Sequence, residues 1–277
     1  MDPVMAPSFN NTDRVVLLYN TTITVHIALS HGKLPNWPEL LGIHLFISAV
    51  TWFVSSRDVR WLHRWYPLIL LLWFYPETGM LRHSVIPTGL DGSLILWETA
   101  LFPQRFYFTV PLGLSVPSLE FLHGAYFSFF FLLWIPAMIA HTKHRESVGE
   151  YIFVLMITLF VHFWIAILFP ASGPTSLRGQ VIPPGFLFIP LMNFLYATMD
   201  QGGAAFPSTH AAASIIATSY GIRFFPELRI VFLLWLFVIL ISTVLCTFNY
   251  VIDAISGVIT GTLFLVWGKK IDARIDH

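Results

Sequence analysis

Three stretches of this chain, "FLHGAYFSFFFLLWIPAMIA" (121–140), "YIFVLMITLFVHFWIAILFP" (151–170) and "IVFLLWLFVILISTVLCTF" (230–248), contain no Asp, Glu, Lys or Arg. Each is close to the ~20 apolar residues that one helix needs to cross the ~30 Å hydrocarbon core of a bilayer. A soluble globule has no way to hide three such runs together. Composition agrees: hydrophobic residues make up 56% of the 277 and charged ones 11%, with a mean hydropathy of +0.72. This reads as an integral membrane protein. The formal net charge is zero, so no global field recruits nucleic acid, and none is expected as a partner. The single Cys246 leaves no disulfide framework within the chain. The first residues, "MDPVMAPSFNNTDR", carry acids and prolines where a cleaved leader would be basic, and the mature chain is expected to start near Met1.

Walking the chain for apolar runs bounded by charges or turn residues gives eight expected spans, at 15–31, 39–56, 65–81, 121–140, 150–169, 207–224, 228–247 and 250–268. The first is interrupted by polar residues and the third by Pro76 and Glu77. With the N-terminus inside, eight crossings put Arg14, Arg57, Arg60, Arg64, Lys143, Arg145, Arg223, Arg229, Lys269, Lys270 and Arg274 on the cytoplasmic side. Only Lys33, Arg82, Arg105 and Arg178 fall outside. That asymmetry follows the positive-inside rule. A six-span alternative without the first two keeps the same sidedness downstream. The expected fold is thus an all-α polytopic membrane bundle of about eight transmembrane helices, with both termini cytoplasmic and its core bundle from residue 121 onward. N-terminal membrane helices are expected over 1–84, the functional membrane domain over 85–268 and a cytoplasmic tail over 269–277.

Two outside loops, 82–120 and 170–206, exceed ordinary connections. The first mixes Trp97, Phe102, Phe106, Tyr107 and Phe108 with Asp91 and Glu98, which fits a segment lying along the membrane surface or a lid over the bundle. The second ends in "GGAAFPSTHAA". Pro207 there suits a first helical turn, and Ser208, Thr209 and His210 occupy the turn whose free N–H groups attract an anion. A histidine beside a bound phosphate is placed to protonate a leaving oxygen; alternatively it caps a helix start and points to water. A third stretch on the same face, "STVLCTFNYVIDAISG" (242–257), carries Asp253 one turn into the last span. Acidic side chains at that depth are functional hypotheses by default. One cation, Arg178, one histidine, His210, and one carboxylate, Asp253, are thereby expected at the same ends of the helices.

These stretches resemble the type 2 phosphatidic acid phosphatase superfamily, whose motifs read K-x6-R-P, P-S-G-H and S-R-x5-H-x3-D. Pro207, Ser208 and His210 match the middle motif, with Thr209 in the glycine position; Ser242 and Asp253 match the third at its separation of eleven residues. The first motif is not matched literally. "FPASGPTSLR" and "GLDGSLILWETALF" look instead like the inositol phosphorylceramide synthase branch, and the resemblance covers roughly residues 85 to 268. It implies that His210 is the acid, that Asp253 orients the nucleophile, and that Arg178, Ser208, Thr209 and Ser242 hold phosphate. No metal and no cofactor are implied, and the partner is a membrane lipid with a phosphate-containing headgroup, met at the outer face.

The nucleophilic histidine of that family falls at position 249, which is Asn249, and Thr243 stands where the phosphatase motif has Arg. An amide is neither basic nor nucleophilic, and loss of a catalytic nucleophile costs on the order of a million-fold in turnover. Three explanations stay open: an engineered trap, a natural pseudoenzyme, or a rewired enzyme using another base, for which His123 and then Asp200 are the candidates. His162 lies about 12 Å below Pro170 at about 1.5 Å per residue and is expected to be a hydrogen-bonded helix residue. The leading function is lipid phosphotransfer or lipid phosphate hydrolysis. Its rival is a non-catalytic lipid-phosphate binding protein, and a transporter is a third class.

Overall fold

The computed structural model describes residues 9–56, 60–143, 147–199 and 202–275. Helices occupy every one of the expected spans: α1 (Asn11–Leu29), α2 (Trp37–Ser55), α3 (Arg60–Leu81), the consecutive pair α6 (Val116–Phe127) and α7 (Phe129–Thr142), α8 (Val148–Leu168), α11 (Thr209–Phe224), α12 (Arg229–Leu245) and α13 (Val251–Ile275). Shorter helices fill the two long connections: α4 (Asp91–Leu101) and α5 (Phe106–Leu112) in the first, α9 (Arg178–Val181) and α10 (Phe188–Met199) in the second. Among the described residues the only extended pairing is one isolated bridge between Ala171 and Ala204.

Four helical segments are long and apolar enough to cross a bilayer: α2, α8, the run Pro226–Leu245 and Val251–Gly268. The bent pair α6–α7 makes five if it is one span. The expected count of eight is supported only that far. Helix α1 carries Asn11, Asp13, Arg14 and Asn20, α3 carries His63, Arg64 and Glu77, and α11 has only 16 residues. The helix α13 also runs on to Ile275, through most of what was expected to be a tail.

Helix α8 is the hub, packing against α1, α3, α11 and α13. Enclosure on several sides explains why it is apolar around most of its circumference. His162 on this helix is buried, with Nδ1 against the Thr158 carbonyl at 2.7 Å and Nε2 against Thr260 Oγ1 at 2.9 Å, in the structural role expected of it. The first three helices are joined by a buried polar cluster. The Asn20 amide donates to the His44 carbonyl at 2.9 Å, so its Oδ1 faces His44 Nδ1 at 2.6 Å, while His44 Nε2 meets Glu77 Oε1 at 2.6 Å. This cluster explains the polar interruptions of spans one and three.

The pairing that builds the site is α11 against α13. Helix α11 presents Ala211, Ala212 and Ala213, all fully buried. Opposite them, a Cβ at Gly257 would lie 2.4 Å from the Ser208 carbonyl oxygen, and one at Gly261 would lie 2.7 Å from that of Ala212. Backbone therefore meets backbone, the close approach that small residues permit in membrane helices. The start of α11 is held against the first turn of α13, where the Ser208 N–H donates to the Asp253 carbonyl at 3.1 Å.

Candidate phosphate site

At the start of α11 lies a cavity of about 220 Å³, lined by residues that include Ser172, Thr175, Ser208, Thr209, His210 and Asn249. Each arrives for a local reason. Ser208 is the N-cap of α11, its Oγ accepting from the Ala211 N–H at 3.3 Å. Pro207 therefore stands before the cap, after a cis bond from Phe206, and not in the first helical turn where the sequence placed it. Asn249 lies in the tight connection between α12 and α13. There the Thr243 carbonyl accepts from the N–H groups of both Phe248 and Asn249, and Thr247 takes a positive φ of 59°. That left-handed turn is unusual for a β-branched residue and is held by Thr247 Oγ1 donating to the Tyr107 carbonyl at 3.0 Å.

The Asn249 amide is fixed at both ends: Nδ2 donates to the Ala205 carbonyl at 3.0 Å and Oδ1 accepts from Ser208 Oγ at 3.2 Å. His210 enters from the adjacent turn, stacked on Tyr126 with centroids 4.6 Å apart and packed on Phe129 at 4.4 Å. Its Nδ1 lies 3.2 Å from the Tyr126 hydroxyl, which in turn pairs with the Tyr196 hydroxyl at 2.7 Å. Asp253 is fully buried behind Asn249. Its Oδ2 accepts the Tyr250 N–H at 2.7 Å, and its Oδ1 has no hydrogen-bond partner among the described residues.

The other residues expected to serve the site lie away from its lining. The Arg178 guanidinium carbon sits over the Phe248 ring, 4.0 Å from its centroid. It donates to the Cys246 carbonyl, to Asn193 Oδ1 at 2.9 Å and toward His123 Nε2 at 3.2 Å. Burial is the largest influence on it and lowers its pKa. Arg178 is thus a clamp on the α12–α13 connection, with Phe248 between it and the cavity. His123, whose Nδ1 contacts the Leu119 carbonyl at 2.7 Å, belongs to that clamp and not to the cavity wall. Ser242 turns back to donate to the Ile239 carbonyl at 2.7 Å inside its own helix. Asp200 lies outside the described residues.

Three carboxylates that sequence reading did not place in the site hold its backbone. Asp91 accepts the N–H groups of Ser172 and Gly173 at 2.9 to 3.0 Å. Glu98 accepts those of Val251 and Ile252 at 3.2 and 3.1 Å, at the start of α13. Glu120 takes four consecutive N–H groups, Phe186 through Ile189, at the start of α10. Satisfying otherwise orphaned helix-start donors with a carboxylate is favoured by charge as well as hydrogen bonding. The α4 segment is therefore a brace as much as a surface strip. Leu94 and Tyr107 are buried with Ala171 and Tyr250, while Leu96, Trp97 and Leu101 remain exposed. The sequence signal was present in the seven-residue spacing of Asp91 and Glu98, two turns of one helix face.

What this arrangement offers is a small polar cavity at a helix start, with hydroxyls, an amide and one imidazole around it and a buried carboxylate behind. A family model described as the PAP2 superfamily matches residues 94–267. No curated protein and no solved structure matches the chain.

Proposed function

Because this chain belongs to the PAP2 superfamily, a fold of phosphatase and phosphotransferase type, we propose that its cavity binds the phosphate of a membrane lipid headgroup without transferring it through a phosphohistidine. The single observation that carries this reading is Asn249. It occupies the nucleophile position, lines the cavity and is fixed through both its amide atoms. The retained Ser208 cap and His210 keep the features that recognise phosphate, N–H donors at a helix start and a neighbouring imidazole. The spare base His123 is engaged with Arg178 behind Phe248, which argues against a rewired enzyme. The excess of Lys and Arg at the opposite ends of the spans supports a cytoplasmic location for both termini and a site at the non-cytoplasmic leaflet.

A second reading is lipid phosphate hydrolysis or headgroup transfer, similar to the inositol phosphorylceramide synthases. It is favoured by the unpartnered Asp253 Oδ1, a buried carboxylate left where an imidazole would be oriented. Purified protein offered a panel of labelled lipid phosphates separates the two. Saturable binding with no phosphate release and no headgroup exchange is the expected result; turnover by the native protein overturns the binding reading in favour of the enzyme.

A further inference from the structure

A phosphate in a half-buried cavity needs a cation, and the lining supplies none with a permanent charge. Arg178 has its donors directed to Cys246, Asn193 and His123, and Lys33, expected at the same end of the bundle, donates to the Ser84 carbonyl at 2.8 Å. Arg82 differs. It follows directly on α3, ahead of the family-matched residues, and it is half-buried. Its side chain lies along Gly202 and Gly203, which line the cavity. A Cβ at Gly203 would lie 3.2 Å from Arg82 Cδ, and a Cβ at Gly202 would lie 2.6 Å from Arg82 Nη1 and 4.0 Å from the Ser172 hydroxyl. Both glycines have positive φ, 75° and 99°, so this stretch combines a left-handed backbone with no side chain. The result is a bare strip of cavity wall with the Arg82 side chain lying against it, beside the lining and not part of it. Among the described residues no hydrogen bond or ion pair engages the Arg82 guanidinium.

We propose that Arg82 is the cation that receives the ligand's phosphate at this cavity, a role resting on the phosphate-binding reading above. The guanidinium presents a planar fork of donors that matches two phosphate oxygens, and among the described residues the fork has no competing acceptor. Ser172 and the hydroxyls at the start of α11 would then take the remaining oxygens. The charge comes from the N-terminal helices, so a truncation to the family-matched region would lose it.

The test uses full-length protein in detergent for inorganic phosphate, and the same protein in phosphatidylcholine vesicles with and without phosphatidic acid. Thermal protection is measured for the native chain, Arg82→Lys and Arg82→Gln. The native protein is expected to be protected, Arg82→Gln to bind roughly tenfold or more weakly, the loss of one charge-assisted contact, and Arg82→Lys to fall between them. Should Arg82→Gln fail to fold, the native protein still answers. Phenylglyoxal modification followed by peptide mass analysis is expected to label Arg82 in ligand-free protein and to spare it when phosphate is bound. Undiminished binding by Arg82→Gln, or equal labelling of Arg82 with and without ligand, overturns the assignment and leaves the binding reading standing. Protection by neither probe overturns both. Protection by inorganic phosphate alone, lost in Arg82→Gln, supports the assignment and removes the lipid as ligand; protection by phosphatidic acid vesicles alone, lost in the same variant, supports both.

Discussion

Ser208 Oγ donates to Asn249 Oδ1 at 3.2 Å, joining two motif residues 41 positions apart. The contact fixes which way the amide points. With Oδ1 taken by Ser208, Nδ2 is directed at the Ala205 carbonyl, and Asp253 Oδ1 is left without a partner.

That orphaned carboxylate sets the first prediction. Asn249→His places an imidazole between Asp253 and the cavity, restoring a nucleophile with an orienting partner. Labelled lipid phosphate is expected to yield an acid-labile phosphoenzyme and phosphate release at least about a hundredfold above the native background, a fraction of the nucleophile's full worth. Adding His210→Ala is expected to abolish the gain. An Asn249→His protein as inert as the native one argues that more than the nucleophile has been lost.

Ser208→Ala removes an N-cap and the hydroxyl that orients Asn249. Cap loss costs about 1 kcal/mol, enough to lower Tm by a few degrees in a chain of this size. Because the same hydroxyl lines the cavity, phosphate protection is expected to fall in parallel. A thermal melt unchanged by the substitution sinks the capping argument.

Gly257→Val tests the backbone contact that sets the site. Its Cβ would come within 2.4 Å of the Ser208 carbonyl oxygen and 2.8 Å of the Ala211 Cβ, so α11 must move away from α13. Overpacking of this kind costs about 1 to 3 kcal/mol, and phosphate protection is expected to be lost even where the protein remains folded. Retained protection would show that the start of α11 does not depend on this contact.

Glu98 carries a pH dependence of stability. Burial raises its pKa, and the N–H groups of Ile252 and Val251 pull the other way without cancelling the rise. A carboxyl whose folded pKa exceeds its unfolded value holds more protons in the folded state. Stability therefore falls as pH climbs from the ordinary carboxylate range through the raised value, and levels off above it. Glu98→Gln is expected to remove this component while leaving one helix-start N–H of α13 unpaired, at about 1 to 3 kcal/mol. Melts of both proteins from about pH 4 to about pH 8 bracket the window. Identical slopes would show that Glu98 does not titrate within it.

Much of this protein was legible in one dimension because its causes are one-dimensional. Twenty apolar residues in a row have few alternatives to a buried or membrane-facing helix, and helices stand at every run identified that way. The middle motif was legible for a similar reason: Ser208, Thr209 and His210 are neighbours, so one helix start presents Ser208 as its cap and all three to one cavity. The site's remaining members depend on three-dimensional packing. Arg178 and Arg82 are both cations in loops expected at the same end, and the motif-like neighbourhood of Arg178 singled out the one that packing takes away from the cavity lining. Phe248, Cys246 and Asn193 turn the first into a clamp, while two glycines more than a hundred residues along the chain from the second give it open ground beside the cavity. Asp91 and Glu98 share one helix face in the sequence, but which N–H groups they and Glu120 hold was decided only when distant backbone folded onto them. Hydrophobicity acts on each residue where it stands, so its pattern survives in the sequence; a hydrogen bond or the setting of a guanidinium depends on which distant backbone arrives beside it, and only the packed helices decide that.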